Sequence, residues 1–410
     1  MLIKNLAGIF SGESFRKNNG RNPTFIKSDF ILGPIDLEID ESGTISKIEK
    51  NIKFENSRVL DGSGLIATSS FYDSHTHSLF SGDRSVEFFQ RWRGDSYQSI
   101  AQQGGGIHNT MKATSEASDE TLINEVLQRL VTSSNKGITH LEIKTGYAVD
   151  APGELRLLRV LKKIRALELP VEIFPTFLGL HALPKDRIES QFVDEMISIL
   201  PQIKREGLAT FVDAFPEKGF FSLEESLRFA KAGMNAGLIP KIHADELSPL
   251  GSAETFSKLG ARSVDHLQNI SAAGLHELAN SSCVATLLPA TSFFLGLEYA
   301  PARKLLMANA RVALSTDFNP GTAPDPSPQF TMRLAATAFK MTAAEIFCAF
   351  TYNGAAALGI DENCGTVEKN KEANICLWKA PLTSILENIS TSALEPKMVF
   401  IKGSAPFLQS

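Results

Sequence analysis

A parallel (β/α)8 TIM-type barrel carrying a small β-sandwich domain formed by both termini is the fold class this sequence predicts. Two observations predict it. Eight short apolar runs recur through the middle of the chain with helix-patterned stretches between most of them, and a strand-and-turn texture is confined to the two ends. A third observation, ligand-capable side chains at the ends of those runs, points to the face on which barrels build their active sites.

The N-terminal part of the β domain is expected over residues 1–65. Ile31 to Ile48 mixes β-branched residues with Gly33, Pro34 and a Glu41-Ser42-Gly43 turn signal. Its C-terminal part is expected over 365–410, where Gly365-Thr366-Val367, Ala373 to Trp378 and Met398 to Lys402 repeat that texture. The barrel is expected over 66–364. Its eight strand runs are Leu65 to Phe71, Ile138 to Ile143, Val171 to Leu178, Phe211 to Phe215, Pro240 to Ile242, Ser263 to Val264, Cys283 to Leu288 and Val312 to Leu314. Pro152 to Leu167 carries Leu155, Leu158, Leu161, Ile164 and Leu167 at helical spacing, and Ser222-Leu223-Glu224-Glu225 resembles a capping box with Gly237 beyond the helix end. Residues 84–135 interrupt the alternation after the first strand and predict an elaborated loop with helices on the rim. The Pro-dense stretch Pro320 to Pro328 follows the eighth strand and predicts a rigid loop at the catalytic mouth.

With 410 residues the chain is long enough for one large domain plus a smaller one. The formal net charge is -5 and no basic stripe occurs, which argues against nucleic acid as a partner. No apolar run is long enough to span a membrane, and Met1 to Gly20 makes a poor signal peptide. Cys283, Cys348, Cys364 and Cys376 form no CxxC pair, the usage of a cytoplasmic protein with reduced core thiols.

Of eight histidines, His75, His77, His181, His243 and His266 fall at or just after the ends of predicted barrel strands; His108, His140 and His276 do not. In His75-Thr76-His77 the two rings, at i and i+2 on a strand, point the same way and can reach one ion. Asp73 stands ready to orient one of them. His243, His266 and Asp317 each end a later strand. An HxH, two further histidines and an aspartate in that order suit one divalent ion that keeps a place for water. Such an ion acidifies bound water and polarises a carbonyl. Glu246, three residues beyond His243, is the candidate general acid/base. His266 is either a ligand or the group that orients water and steadies the oxyanion; with His75, His77, His243 and Asp317 already supplying four contacts, the count favours the second role. Arg84 suits a substrate carboxylate. Tyr147 and His181 follow the second and third strands, Asn319, Gly321 and Thr322 open the rigid loop, and Gly104-Gly105-Gly106 offers backbone N–H groups.

These motifs resemble one family, the imidazolonepropionases of the amidohydrolase superfamily. The resemblance rests on Asp73-Ser-His-Thr-His77, Phe80-Ser-Gly-Asp-Arg84, Ser96-Tyr97 through Gly104-Gly-Gly-Ile107, Glu142-Ile-Lys-Thr-Gly-Tyr147, Phe177-Leu-Gly-Leu-His-Ala182, Lys241-Ile-His-Ala-Asp-Glu-Leu-Ser248, Asp265-His-Leu267, Leu287-Leu-Pro289 and Ser315-Thr-Asp-Phe-Asn-Pro-Gly321. It implies one zinc or iron ion on His75, His77, His243 and Asp317. It implies substrate contacts at Arg84, Tyr147, His181, Glu246, Asn319, Gly321 and Thr322, and the hydrolytic opening of 4-imidazolone-5-propanoate to N-formimidoyl-L-glutamate in histidine breakdown. The expected partner is a small molecule bearing a carboxylate, and a homodimer is an open assembly state. Deamination of a small heterocycle is the alternative; a neutral ring would not need a carboxylate clamp at Arg84. Ser69-Ser70, Gly251-Ser252 and Pro289-Ala290 depart from the Pro-Gly, Gly-Gly and Pro-Gly pairs usual in the family.

Overall fold

Eight parallel strands form the centre of the computed structural model, which describes residues 1–53, 58–94, 105–184, 187–392 and 394–404. In chain order they are β6 (Phe71–Asp73), β7 (Ile138–Lys144), β8 (Glu172–Leu180), β9 (Phe211–Ala214), β10 (Ile239–Ala244), β11 (Ser263–His266), β12 (Val284–Leu287) and β13 (Arg311–Leu314), each paired with its neighbour in sequence order. Segments just beyond β6 and β13 bring the ring's ends together: Asp317 N–H donates to His75 O at 3.1 Å and His77 N–H to Phe318 O at 2.9 Å.

The strand period explains the barrel's two faces. In β7, Leu141 and Ile143 join the core shared with Leu122, Val126 and Leu158 of the surrounding helices, whereas Glu142 and Lys144 bond to groups from other barrel strands. The helices begin where the sequence puts caps. Ser118 accepts from Thr121 N–H ahead of Asp119–Asn135, and Asp150 accepts from Gly153 N–H ahead of Ala151–Arg165. Ser222 likewise caps Leu223–Asn235. The long insertion after β6 contains helices Ser85–Trp92, Ile107–Glu116 and Asp119–Asn135.

The ends of the chain meet in a second, mixed sheet: β1 (Leu2–Phe10), β2 (Phe30–Ile39), β3 (Ile45–Glu49), β4 (Val59–Asp61), β5 (Ile66–Ser69), β14 (Ile375–Trp378) and β15 (Met398–Phe400). It packs around its own core of Ile3, Leu6, Ile9, Leu37, Ile375 and Leu377. One expectation is corrected here. Leu65 to Phe71 is not a single barrel strand: Ile66 to Ser69 pairs with β14 and β1, and only Phe71 onward enters the barrel. The segment reads as one because Ile66 to Phe71 are buried without a break, by one sheet and then the other; the switch occurs at Ser70, whose N–H donates to Asn374 O. Among the described residues no helix is long and apolar enough to cross a membrane.

Candidate active site

The strand exits on one barrel face deliver the side chains that the sequence singled out. His75 and His77 lie beyond the assigned end of β6 on an extended segment held from both sides. Thr76 O accepts from Lys144 N–H at 3.0 Å, and Thr76 Oγ1 donates to Glu142 O at 2.6 Å. His243 stands within β10, His266 ends β11, and Asp317 follows β13. Backbone strain marks three of these exits: φ is +46° at Asp245, +78° at His266 and +53° at Asp317, a region non-glycine residues seldom adopt.

His75, His77, His243, His266 and Asp317 converge. Asp317 Oδ1 lies 3.5 Å from both His75 Nε2 and His77 Nε2, and His243 Nε2 lies 3.4 Å from His77 Nε2. One ring nitrogen of each of His75, His243 and His266 also falls within 4.8 Å of the others. His75 Nε2 and Asp317 Oδ1 are buried without a hydrogen-bond partner. Such orphans are costly unless something takes their lone pairs, and three imidazoles with a carboxylate are a donor set a divalent cation satisfies. Second atoms of three of these side chains face partners, whereas His77 Nδ1 is buried without a hydrogen bond. His75 Nδ1 meets Asp265 Oδ2 at 2.6 Å, His243 Nδ1 lies 3.0 Å from Asp213 Oδ2, and Asp317 Oδ2 accepts from Thr291 Oγ1. Burial, reinforced by Lys144 and neighbouring histidines, holds His75 well below the usual imidazole range, and burial does the same to His77 and His266. That favours the neutral form of these three rings, which can donate lone pairs. Burial pushes Asp317 up to about 6, against the pull of Thr291.

Glu246 closes one side of the cluster, with Oε1 3.5 Å from His266 Nδ1. Burial, with Asp317 and Glu217 nearby, raises its carboxyl well above the usual range, as expected of a group that carries a proton through part of a reaction. Glu217 holds the loop behind it by accepting from Leu247 N–H at 2.9 Å and Ser248 N–H at 3.1 Å.

A cavity of about 630 Å³ opens above the cluster, and Arg84, Tyr147, His181, Asn319 and Thr322 all line it. His181 stacks on His77 with centroids 4.9 Å apart, and its Nδ1 lies 3.1 Å from Gly146 O. Burial depresses His181 to about 3. Arg84 is gripped by Glu87, whose Oε2 accepts from Nε at 2.9 Å and Nη2 at 2.8 Å. Asn319 Oδ1 accepts from Gly321 N–H and Thr322 N–H, which stiffens the loop. Gly321 is not in the cavity wall. It stands behind Arg84, where an added Cβ would fall 1.9 Å from Nη1. Gly104 and residues 95–103 lie outside the described residues.

One sequence expectation is corrected. Asp73 orients no ring; it accepts from Thr316 N–H at 3.0 Å and Oγ1 at 2.6 Å and so ties β6 to the Asp317 loop. Sequence reasoning missed Asp213, buried in β9 with Oδ2 3.0 Å from His243 Nδ1. Sequence reasoning also missed Arg91, which lines the cavity and donates to Gly321 O at 2.9 Å. Its position seven residues from Arg84, two turns along one helix face, was the available signal. Beneath the histidines lie Lys144, Lys241, Glu142, Asp213 and Asp265, all fully buried. Burial alone would lower Lys144, but Asp213, Glu142 and Asp265 raise it above the usual lysine range.

The amidohydrolase family pattern matches residues 66–405. An imidazolonepropionase from Bacillus velezensis is 41% identical over 93% of this chain and 90% of its own length. An imidazolonepropionase from Parabacteroides distasonis is 40% identical over 93% of this chain and 92% of its own. Among solved structures, a mutant atrazine chlorohydrolase from Arthrobacter aurescens, complexed with zinc and atraton, superposes with a TM-score of 0.68 at 16% identity, covering 98% of this chain and 94% of that one.

Proposed function

The chain belongs to the imidazolonepropionases of the amidohydrolase family, and from that premise we propose how its residues carry out the reaction. The reaction is the hydrolysis of 4-imidazolone-5-propanoate to N-formimidoyl-L-glutamate in histidine degradation. Water oxygen adds to the ring carbonyl carbon, the ring C–N bond breaks, the carbonyl carbon becomes a carboxylate, and the departing nitrogen gains a proton.

We assign one divalent ion, zinc or iron, to His75, His77, His243 and Asp317. The orphaned His75 Nε2 and Asp317 Oδ1 support that assignment, since an ion removes the cost of leaving them unpaired. When bound, the ion supplies an acidified water and a polarised substrate carbonyl. The remaining steps fall to side chains. Glu246 accepts the proton of water and returns it to the ring nitrogen as the C–N bond opens. His266, beside Glu246, orients water and steadies the charge growing on the carbonyl oxygen. Arg84, aimed by Glu87, holds the propionate. Tyr147 and His181 hold the ring, and Asn319 and Thr322 shape the far wall with Gly321 behind them. The site is read as serving a small carboxylate-bearing molecule in the cytoplasm.

The observation that carries this reading is the convergence of four ligand atoms from distant parts of the chain on one side of the Arg84-lined cavity. The test is to incubate metal-loaded protein with 4-imidazolone-5-propanoate and follow loss of the ring's ultraviolet absorbance. Turnover with that substrate, and none with guanine or cytosine, is expected. Deamination of either base without ring opening would overturn the assignment.

A further inference from the structure

The buried charges under the histidines form one connected unit that the reaction as assigned leaves unused. Lys144 Nζ lies 2.8 Å from Asp213 Oδ2, 2.9 Å from Glu142 Oε1 and 3.9 Å from Asp265 Oδ2. Asp213 and Asp265 face imidazoles from different strands: Asp213 Oδ2 lies 3.0 Å from His243 Nδ1, and Asp265 Oδ2 lies 2.6 Å from His75 Nδ1. Asp213 Oδ1 also accepts from His243 N–H at 3.2 Å. The second ammonium, Lys241, is directed elsewhere, at 3.3 Å from Glu142 Oε2 and donating to Ser74 O at 2.7 Å. Lys241 also pulls on Asp265, but Lys144 is the ammonium within 4 Å of both ring-facing carboxylates.

We infer that Lys144 is a positioning residue that ties the two carboxylates behind His243 and His75 to one charge, so that two ligand rings from opposite parts of the barrel are aimed as a coupled pair. This rests on the reading that those rings hold an ion. Its physical content lies in a competition. Removing a buried ammonium removes repulsion of a nearby metal cation, which alone would tighten binding. It also leaves Asp213, Glu142 and Asp265 packed together with only Lys241 among them, and like charges in a buried site push apart. A carboxylate that turns away releases the ring it aims, and loss of such a partner costs roughly 10–100-fold in metal affinity. The 2.8 Å contact to Asp213, with Asp265 at 3.9 Å from the same ammonium, makes the aiming effect the larger one.

The test is zinc affinity of the full chain, measured by competition with a chromophoric chelator and independent of turnover. Asp213→Asn, Asp265→Asn, their double variant and Lys144→Met are compared. Each single change is expected to weaken zinc binding by about 10-fold or more. The double Asn variant is expected to fall short of the product of the two single effects by about 10-fold, because loss of either carboxylate already frees the shared lysine. With Lys144→Met present, the two Asn effects should become multiplicative. Tighter zinc binding in Lys144→Met would overturn the inference. So would multiplicative Asn effects with Lys144 intact, a result that stands even if the Lys144 variant does not fold. A parent chain that binds no zinc would instead remove the metal reading itself, before any variant is compared.

Discussion

At the scale of single residues, the proposed roles separate groups that bind from groups that move protons. Glu246 sits at the cavity wall with a carboxyl raised by burial and by two other carboxylates, and among the described residues its nearest imidazole nitrogen is His266 Nδ1 at 3.5 Å. Glu246→Gln should keep zinc stoichiometry and lower kcat by about 10²–10⁴-fold, the usual worth of a positioned acid/base. Metal analysis alongside steady-state kinetics checks this, and normal turnover would remove Glu246 from the proton path. Arg84 presents the opposite profile. Its fork is already half-satisfied by Glu87, and the role proposed for it leaves the other half to a substrate anion and not to the bond being broken. Arg84→Ala should raise KM for the propanoate substrate by about 10-fold or more with kcat largely kept; an unchanged KM would rule out the carboxylate clamp.

Single residues also show where sequence reading stops. His75, His77, His243, His266 and Asp317 were legible because each ends an apolar run, and barrel topology brings such ends to one face. Asp213, Asp265, Glu142, Lys144 and Lys241 were not read as a unit. Each is one charge inside a short apolar strand, and only closure of the barrel reveals that alternate residues of neighbouring strands meet inside it. Asp73 was misread because proximity in sequence to His75 suggested a partner that the strand direction denies; its carboxylate points to Thr316 instead.

At the scale of elements, the loops after the strands do the aiming, and two glycines set how closely they approach. Gly146, in the turn after β7, has φ +104°, and an added Cβ would fall 2.9 Å from both His181 Cβ and Leu178 O. That turn lets His181 stack on His77 while its ring bonds Gly146 O. Gly146→Ala should therefore lower stability by about 1–3 kcal/mol and raise KM through a displaced His181. Thermal unfolding and kinetics together check it, and a variant with unchanged Tm and KM would show that the turn tolerates a side chain. Gly321 acts similarly behind Arg84. The helices were the easiest elements to read, since Ser118, Asp150 and Ser222 announce their starts. The Leu65 to Phe71 run was the hardest. Two sheets share it, and no turn signal separates β5 from β6.

At the scale of the whole molecule, a buried polar contact joins the barrel to the C-terminal part, Tyr72 Oη accepting from Gly365 N–H at 3.2 Å, and a neighbour of that contact has its own pH signature. His140, in β7, packs against Tyr72 and is depressed by burial to about 4. An unfolded histidine has a pKa near 6.5, so the unfolded chain takes up that proton first as pH falls. The contribution of His140 is full above about pH 6.5, diminishes as pH falls toward 4, and changes no further below it. The drop in Tm between pH 7 and 4 should be smaller in His140→Phe than in the parent chain. An equal or larger drop would mean that other groups set the acid limb. None of the four buried free cysteines joins a disulfide, so this junction rests on packing, hydrogen bonds and the Lys402–Glu172 ion pair.

The claim on which the chemistry turns is that one ion sits where His75, His77, His243 and Asp317 meet. The most direct measurement is an anomalous-scattering map from crystals of the zinc-loaded protein. The expected result is a single peak at about 2.0–2.2 Å from the three Nε2 atoms and Asp317 Oδ1. A peak bound elsewhere, two peaks, or none at this cluster would contradict it.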